Sequence, residues 1–199
     1  LTGLPNREHL FKHLRSMISG KKNVPGTKDD SGAGDDQAFA VFLIDLNRFR
    51  QVTKSLGMWA GNKVLVETAE RLCAALEKED FVARLGADRF VAVVPCLEQE
   101  ALASEVATAI HQSMDEAFQI NGQELFVKAS VGVSFYPRDG QEWDDLLKNA
   151  ESALYSAKAA GGSSYKAYKP EMDNWGKERL RMESALYHAL AHEEFVLHY

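Results

Sequence analysis

The segment Arg84 to Phe90, reading RLGADRF, lies between two short apolar runs, Phe81-Val82-Ala83 and Phe90 to Val94. Two runs of strand length joined through a glycine predict a hairpin, with Gly86 at the first central position of a type II′ turn and Asp88 and Arg89 beside it. A hairpin needs a sheet to join. Phe39 to Ile44 supplies an unbroken apolar strand that closes on Asp45, and a strand apolar at every position is one buried on both faces.

Helical and strand patterns then alternate without a regular parallel order. Leu10, Phe11, Leu14 and Ile18 mark one face of a helix over 6–18, with Asn6 as its cap, and Val64, Leu65, Thr68, Ala69 and Leu72 mark a second after a turn near Gly57. Leu102, Val106, Ala109, Ile110 and Met114 mark a third. Asn121-Gly122 between FQI and LFV is a strong two-residue hairpin signal, and Val127 to Phe135 alternates as a half-buried strand does. Leu146, Leu147, Ala150, Leu154 and Ala157 form a last stripe ending at Gly161-Gly162, followed by a strand over Tyr165 to Tyr168. The fold class is α+β, a central mixed sheet of about five strands flanked by helices. Trp143 and Phe126 are expected in its core. Residues 20–37, with five glycines or prolines, seven charged residues and one valine, predict a flexible surface loop.

Composition narrows the functions. Asp plus Glu number 29 against 23 Lys plus Arg, a net charge of −6, the opposite of the basic footprint of a duplex nucleic-acid binder. The longest apolar runs are strand-length, so no membrane contact is expected of these residues and a cytoplasmic location is expected. Cys73 and Cys96 lack a CxxC spacing and are expected to be buried free thiols. His188 and His192 stand one helical turn apart, but Ala189 breaks an HExxH pattern.

Five segments in order resemble the GGDEF family of diguanylate cyclases: LTGLPNR from Leu1, FLIDLNRFR from Phe42, RLGADRF from Arg84, VGVSFYPRDG from Val131 and AESALYSAKAAG from Ala150. The resemblance covers residues 1–168 and implies a nucleotidyl cyclase or palm-like sheet. An active member joins two GTP molecules, one bound to each domain of a dimer, with Mg held by carboxylates. By resemblance Asp45, the Leu46 carbonyl and Asp88 are the metal candidates. Thr53, Asn62, Gly86 and Lys158 are the nucleotide-binding candidates.

The signature is altered. Gly86, Ala87, Asp88, Arg89 and Phe90 stand in its place, and Arg89 replaces an acid, a change of two charge units beside the expected metal. Thr53 and Asn62 stand where an asparagine and an aspartate read guanine. Gly162 stands where an arginine follows the phosphate-facing lysine, and Glu77 replaces the arginine of the family's product-inhibition motif. No catalytic residues are therefore expected, and Mg and GTP are weak cofactors at best. Arg89 pairs with Asp45 or Asp88, or stands in solvent.

After Pro170 the string RLRMESALYHALAHEEFVLHY is similar to the opening of EAL domains, which hydrolyse cyclic di-GMP. Residues 169–199 are expected to be a linker helix and the start of such a domain within a longer GGDEF–EAL protein. The implied function is regulation of that phosphodiesterase by an inactive GGDEF domain, with the EAL domain as partner and a possible homodimer. A GTP-binding allosteric module, a docking scaffold and a working cyclase remain as alternatives.

Overall fold

The structure is a computed structural model, and it describes residues 1–19, 38–95 and 100–192. The loop expected at 20–37 and Cys96 lie outside the described residues. Two compact units are present, Leu1–Tyr168 and Lys169–Tyr199.

The first unit begins with α1 (Arg7–Ser19), capped by Asn6, whose Oδ1 accepts the His9 backbone N–H at 3.1 Å. Strand β1 (Phe39–Leu46) leads to α2 (Phe49–Ala75), which Gly57 interrupts with φ 83° and ψ 169°. Then follow β2 (Phe81–Gly86), β3 (Arg89–Pro95), α3 (Glu100–Ser113), the small β4 (Phe118–Ile120) and β5 (Gln123–Leu125), β6 (Ala129–Tyr136), α4 (Trp143–Ala159) and β7 (Tyr165–Ala167). The five-stranded sheet runs β2-β3-β1-β6-β7, antiparallel except for the parallel β6–β7 pair.

The period of two along β1 sorts its side chains between two cores. Ala40, Phe42, Ile44 and Leu46 pack with α2 and α3 residues, whereas Phe39, Val41 and Leu43 pack with Leu10 and Leu14 of α1 and Leu146, Ala150 and Leu154 of α4. Asn121 and Gly122 both have positive φ, 52° and 76°, as a type I′ turn requires.

Several expectations are corrected. The hairpin turn is centred on Ala87 and Asp88; Gly86 is the last residue of β2 and pairs with Arg89. A register shift between Arg84 and Gly86 moves the glycine one place back, and Ala87 carries the positive φ of 46°. Strand β6 is buried on both faces, not half-buried, because α4 covers Gly132 and Ser134 on one face while Ala129, Val131, Val133 and Phe135 on the other pack with the α2 and α3 residues. Cys73 is exposed, since Leu72 takes the inward position of that turn. Phe126 follows the end of β5 and is 64% exposed, outside the core. Leu102 is exposed too, and the buried stripe of α3 is Ala103, Ala107 and Ile110.

Arg71 fastens α2 to the end of α3. Its guanidinium donates to the carbonyls of Ser113, Glu116 and Ala117 at 3.3, 2.6 and 3.2 Å, pairs with Glu67 and lies 4.1 Å from the Phe118 ring centre. Truncation leaves two half-buried carbonyls, those of Ser113 and Ala117, without this donor, so Arg71→Ala should cost about 2 kcal/mol. Arg71→Lys should recover little, because an ammonium lacks the planar fork. Urea unfolding of the three proteins checks both expectations.

The second unit has a short 3-10 turn, Pro170–Met172, and α5 (Asp173–Ala191). The His188 and His192 rings stack with centroids 6.5 Å apart. Among the described residues no helix is long and apolar enough to cross a membrane.

Candidate functional site

Asp45 continues the odd-numbered row Phe39-Val41-Leu43 of β1, so it emerges at the end of the strand on the face covered by α4. Arg89 lies in the corresponding row of β3 with Val91 and Val93, and it is the direct cross-strand partner of Asp45. The two side chains therefore meet by register. Arg89 Nε lies 3.4 Å from Asp45 Oδ2.

Helix α4 supplies the rest. Lys158 Nζ lies 2.5 Å from the other carboxylate oxygen, Asp45 Oδ1, and Glu151 Oε1 accepts from Arg89 Nη1 at 2.7 Å. Glu151 and Lys158 are two helical turns apart, so they project on one side of α4. The Asp45 side chain is only 6% exposed, and a carboxylate so placed needs partners for its charge. It has them in two cations. Burial alone would lower the pKa of Arg89, but the hydrogen bond and charge of Glu151, followed by the charge of Asp45, hold it above its ordinary value.

The other metal candidates are close in chain geometry. The Leu46 N–H donates to the Asp88 carbonyl at 3.2 Å, tying the end of β1 to the hairpin tip. The Asp88 side chain is half-buried and has no ion-pair partner among the described residues. A divalent ion of the Mg type asks for oxygen ligands free to face it. Here both Asp45 oxygens already face cations, and no group of three His, Cys, Asp or Glu side chains suited to a metal occurs among the described residues. This arrangement does not fit a bound Mg.

Thr53 and Asn62 are not drawn into the cluster. Both sit on α2, which packs on the opposite face of the sheet. The Thr53 hydroxyl donates to the Arg50 carbonyl of its own helix at 3.0 Å. Its methyl lies against the second half of α2, so that a Cβ on Gly61 would stand only 2.5 Å from Thr53 Cγ2. Asn62 is half-buried. Gly86 and Ala87 are exposed at the hairpin tip, where Arg84 Nη2 donates to the Ala87 carbonyl at 2.6 Å. Glu77 and Asp80 close on one another, with the Glu77 N–H on Asp80 Oδ2 at 2.9 Å and the Asp80 N–H on the Glu77 carbonyl at 3.1 Å.

Two participants escaped the sequence reading. Glu151 orients Arg89, and its signal was the spacing of seven residues from Lys158 on one helix. Asn47 knots three segments: its N–H donates to the Lys128 carbonyl at 2.7 Å, its Oδ1 accepts from Ser130 at 2.8 Å and its Nδ2 donates to Ser163 at 3.3 Å. No local signal announces those partners.

The family model described as "Diguanylate cyclase, GGDEF domain" matches residues 1–164. The chain is 34% identical over its whole length to the bifunctional diguanylate cyclase/cyclic di-GMP phosphodiesterase MucR of Pseudomonas aeruginosa, covering 27% of that protein. It is 33% identical, again over its whole length, to the cyclic di-GMP phosphodiesterase NbdA of the same species, covering 24% of it. The chain thus spans about a quarter of these curated relatives. Among solved structures, the GGDEF domain of YfiN from Pseudomonas aeruginosa superposes with a TM-score of 0.75 at 29% identity, covering 85% of this chain and 99% of that one. With the family model spanning most of its length, the chain belongs to the diguanylate cyclase GGDEF domain family.

Proposed function

We propose that this GGDEF domain makes no cyclic di-GMP and serves instead as a regulatory module for an EAL phosphodiesterase domain that follows it in the same protein. The observation that carries the reading is the double clamp on Asp45, with Lys158 on one oxygen and Arg89 on the other. A positive guanidinium takes the place where the reaction needs a second acid, and displacing it means breaking its bonds to Asp45 and Glu151. Guanine recognition is weakened separately. A hydroxyl that donates within its own helix and a neutral amide replace an amide and a carboxylate, and losing a charged acceptor costs roughly 1.5–3 kcal/mol.

Pairing with an EAL domain is supported by RLRMESALYHALAHEEFVLHY and by the names of MucR and NbdA, both of which match through the end of this chain. Replacement of the inhibitory-site arginine by Glu77 further supports a domain that neither makes nor monitors the product. The test is incubation of the protein with GTP and Mg, with products separated by chromatography beside a working cyclase. No cyclic di-GMP above the enzyme-free control is expected, and product above that control would overturn the proposal.

A further inference from the structure

Helix α2 bends at Gly57, and the bend carries an apolar knob into solvent. Six consecutive residues, Lys54 to Trp59, are exposed there, with Met58 at 70% and Trp59 at 54%. Methionine and aromatic residues are enriched where protein surfaces meet, and two of them side by side in water mark a face that another surface covers. Charge adds to the pattern. Across residues 46–66 the chain has Arg48, Arg50, Lys54 and Lys63 and no acid, although its net charge is −6. Arg50, Lys54 and Lys63 are exposed and have no ion-pair partner among the described residues. Lys63 Nζ lies 5.7 Å from the Trp59 ring centre.

The far end of the same helix has the opposite character. Leu4, Pro5, Phe81 and Val82 line a pocket of about 340 Å3 beside Cys73, with Glu77, Lys78 and Asp80 on its wall. Interface anchors such as tryptophan fill apolar pockets of this kind. Glu70, one turn before Cys73, is exposed, as are Glu77 and Glu79, and none of the three has an ion-pair partner among the described residues. These charges do not serve the helix itself. Helix α2 has no acid in its first turn and no base in its last, the places where the helix dipole favours them.

We infer that the Met58 and Trp59 knob of one copy of this chain seats in the pocket beside Cys73 of a second copy, with Lys54 and Lys63 facing Glu77 and Glu79. Knob against knob would bring unpaired cations of both copies together, so the contact runs head to tail. From Met58 to Cys73 the helix rises about 22 Å, which prevents a copy from filling its own pocket. Each copy keeps one free knob or pocket, and further copies add at either end. An anionic lipid surface suits the knob less well, because the net charge of −6 opposes approach. Asp45, Arg89 and bound nucleotide take no part, so the contact is independent of what the Asp45 cluster does.

Sedimentation equilibrium of the protein, without nucleotide or Mg, tests this. The mean mass should rise with concentration, with a Kd of about 0.1 mM per contact, and added salt should lower it. Trp59→Ser should weaken association at least about tenfold. The double variant Glu77→Lys, Glu79→Lys should do the same, because it reverses the charge that faces Lys54 and Lys63. Mixed together, the two variants should recover a one-to-one pair and stop there, since one keeps the pocket and the other keeps the knob. All three side chains are exposed, and thermal melts will show the variants folded. A parent that stays monomeric to about 1 mM, association indifferent to either variant, or a mixture that does not pair overturns the inference. So does a monomeric protein that binds anionic vesicles through Trp59, which would give the knob to a lipid surface. Cyclic di-GMP in the product assay would sink the proposed function and leave this result untouched.

Discussion

Replacing Arg89 by glutamate should tighten magnesium-dependent GTP binding at least about tenfold, or about 1.4 kcal/mol, without producing cyclic di-GMP. The substitution removes the guanidinium 3.4 Å from Asp45 Oδ2 and places a carboxylate at the directly opposed position of β3. Charge at the site becomes more negative by two units. Unscreened, that would be worth several kcal/mol, but the Arg89 side chain is 40% exposed, so solvent reduces it to the smaller figure. Lys158 still holds Oδ1, which limits the gain. Turnover stays absent because Thr53 and Asn62 are unchanged, and a misplacement of about 1 Å can cost on the order of a hundredfold in rate. Calorimetry with and without Mg, beside the product assay, reads both parts. Metal dependence unchanged from the parent would show that Arg89 is not what closes the site. Robust turnover would show that the guanine positions tolerate their substitutions.

Gly132→Val should lower stability by about 3 kcal/mol or more, the upper range for overpacking. Gly132 lies in β6 directly beneath α4, and a Cβ there would stand 2.1 Å from the Ala150 carbonyl oxygen, 2.2 Å from the Leu154 nitrogen and 2.7 Å from its Cα. Those atoms are helix backbone and have no rotamer by which to withdraw. Helix α4 has to lift from the sheet, opening the contacts of Leu146, Ala150 and Leu154 with β1 and α1. For a chain of this size the expected fall in Tm is roughly 6–12 °C. A scanning calorimetry trace within about 2 °C of the parent, at the scale of a 1 kcal/mol change, would refute so close a packing. The same displacement would carry Lys158 and Glu151 away from Asp45 and Arg89, so this variant also links the fold to the cluster.

Much of this architecture is legible locally. Asn121-Gly122 takes positive φ at both positions, as its hairpin needs, and the unbroken apolar run of β1 sits at the centre of the sheet. Helix faces with strong periodicity, such as Leu146, Ala150 and Leu154, are buried as their spacing demands. Where the pattern was weak, the sheet decided. Strand β6 reads as half-buried until α4 packs on one of its faces and α2 and α3 on the other, and Phe126 reads as core until the chain leaves β5 with that ring exposed. The turn of the signature hairpin was settled by a register shift, a property of two strands together and of neither alone.

The candidate site divides along the same line. Asp45, Arg89 and Lys158 were recognisable as residues, and so was the wrong charge at position 89. Which partner Arg89 chooses was not, because Glu151 is 62 positions away along the chain. The choice follows from three placements made at a distance: the β1–β3 register opposes Asp45 and Arg89, the inward row of each strand turns both toward α4, and the helix presents Glu151 and Lys158 two turns apart. Residue chemistry is written locally, so the sequence by itself determined the charges and the strand and helix periods. Ion pairing depends on distances between segments that meet only when the sheet and α4 have packed, so the closing of Asp45 between two cations belonged to the tertiary structure.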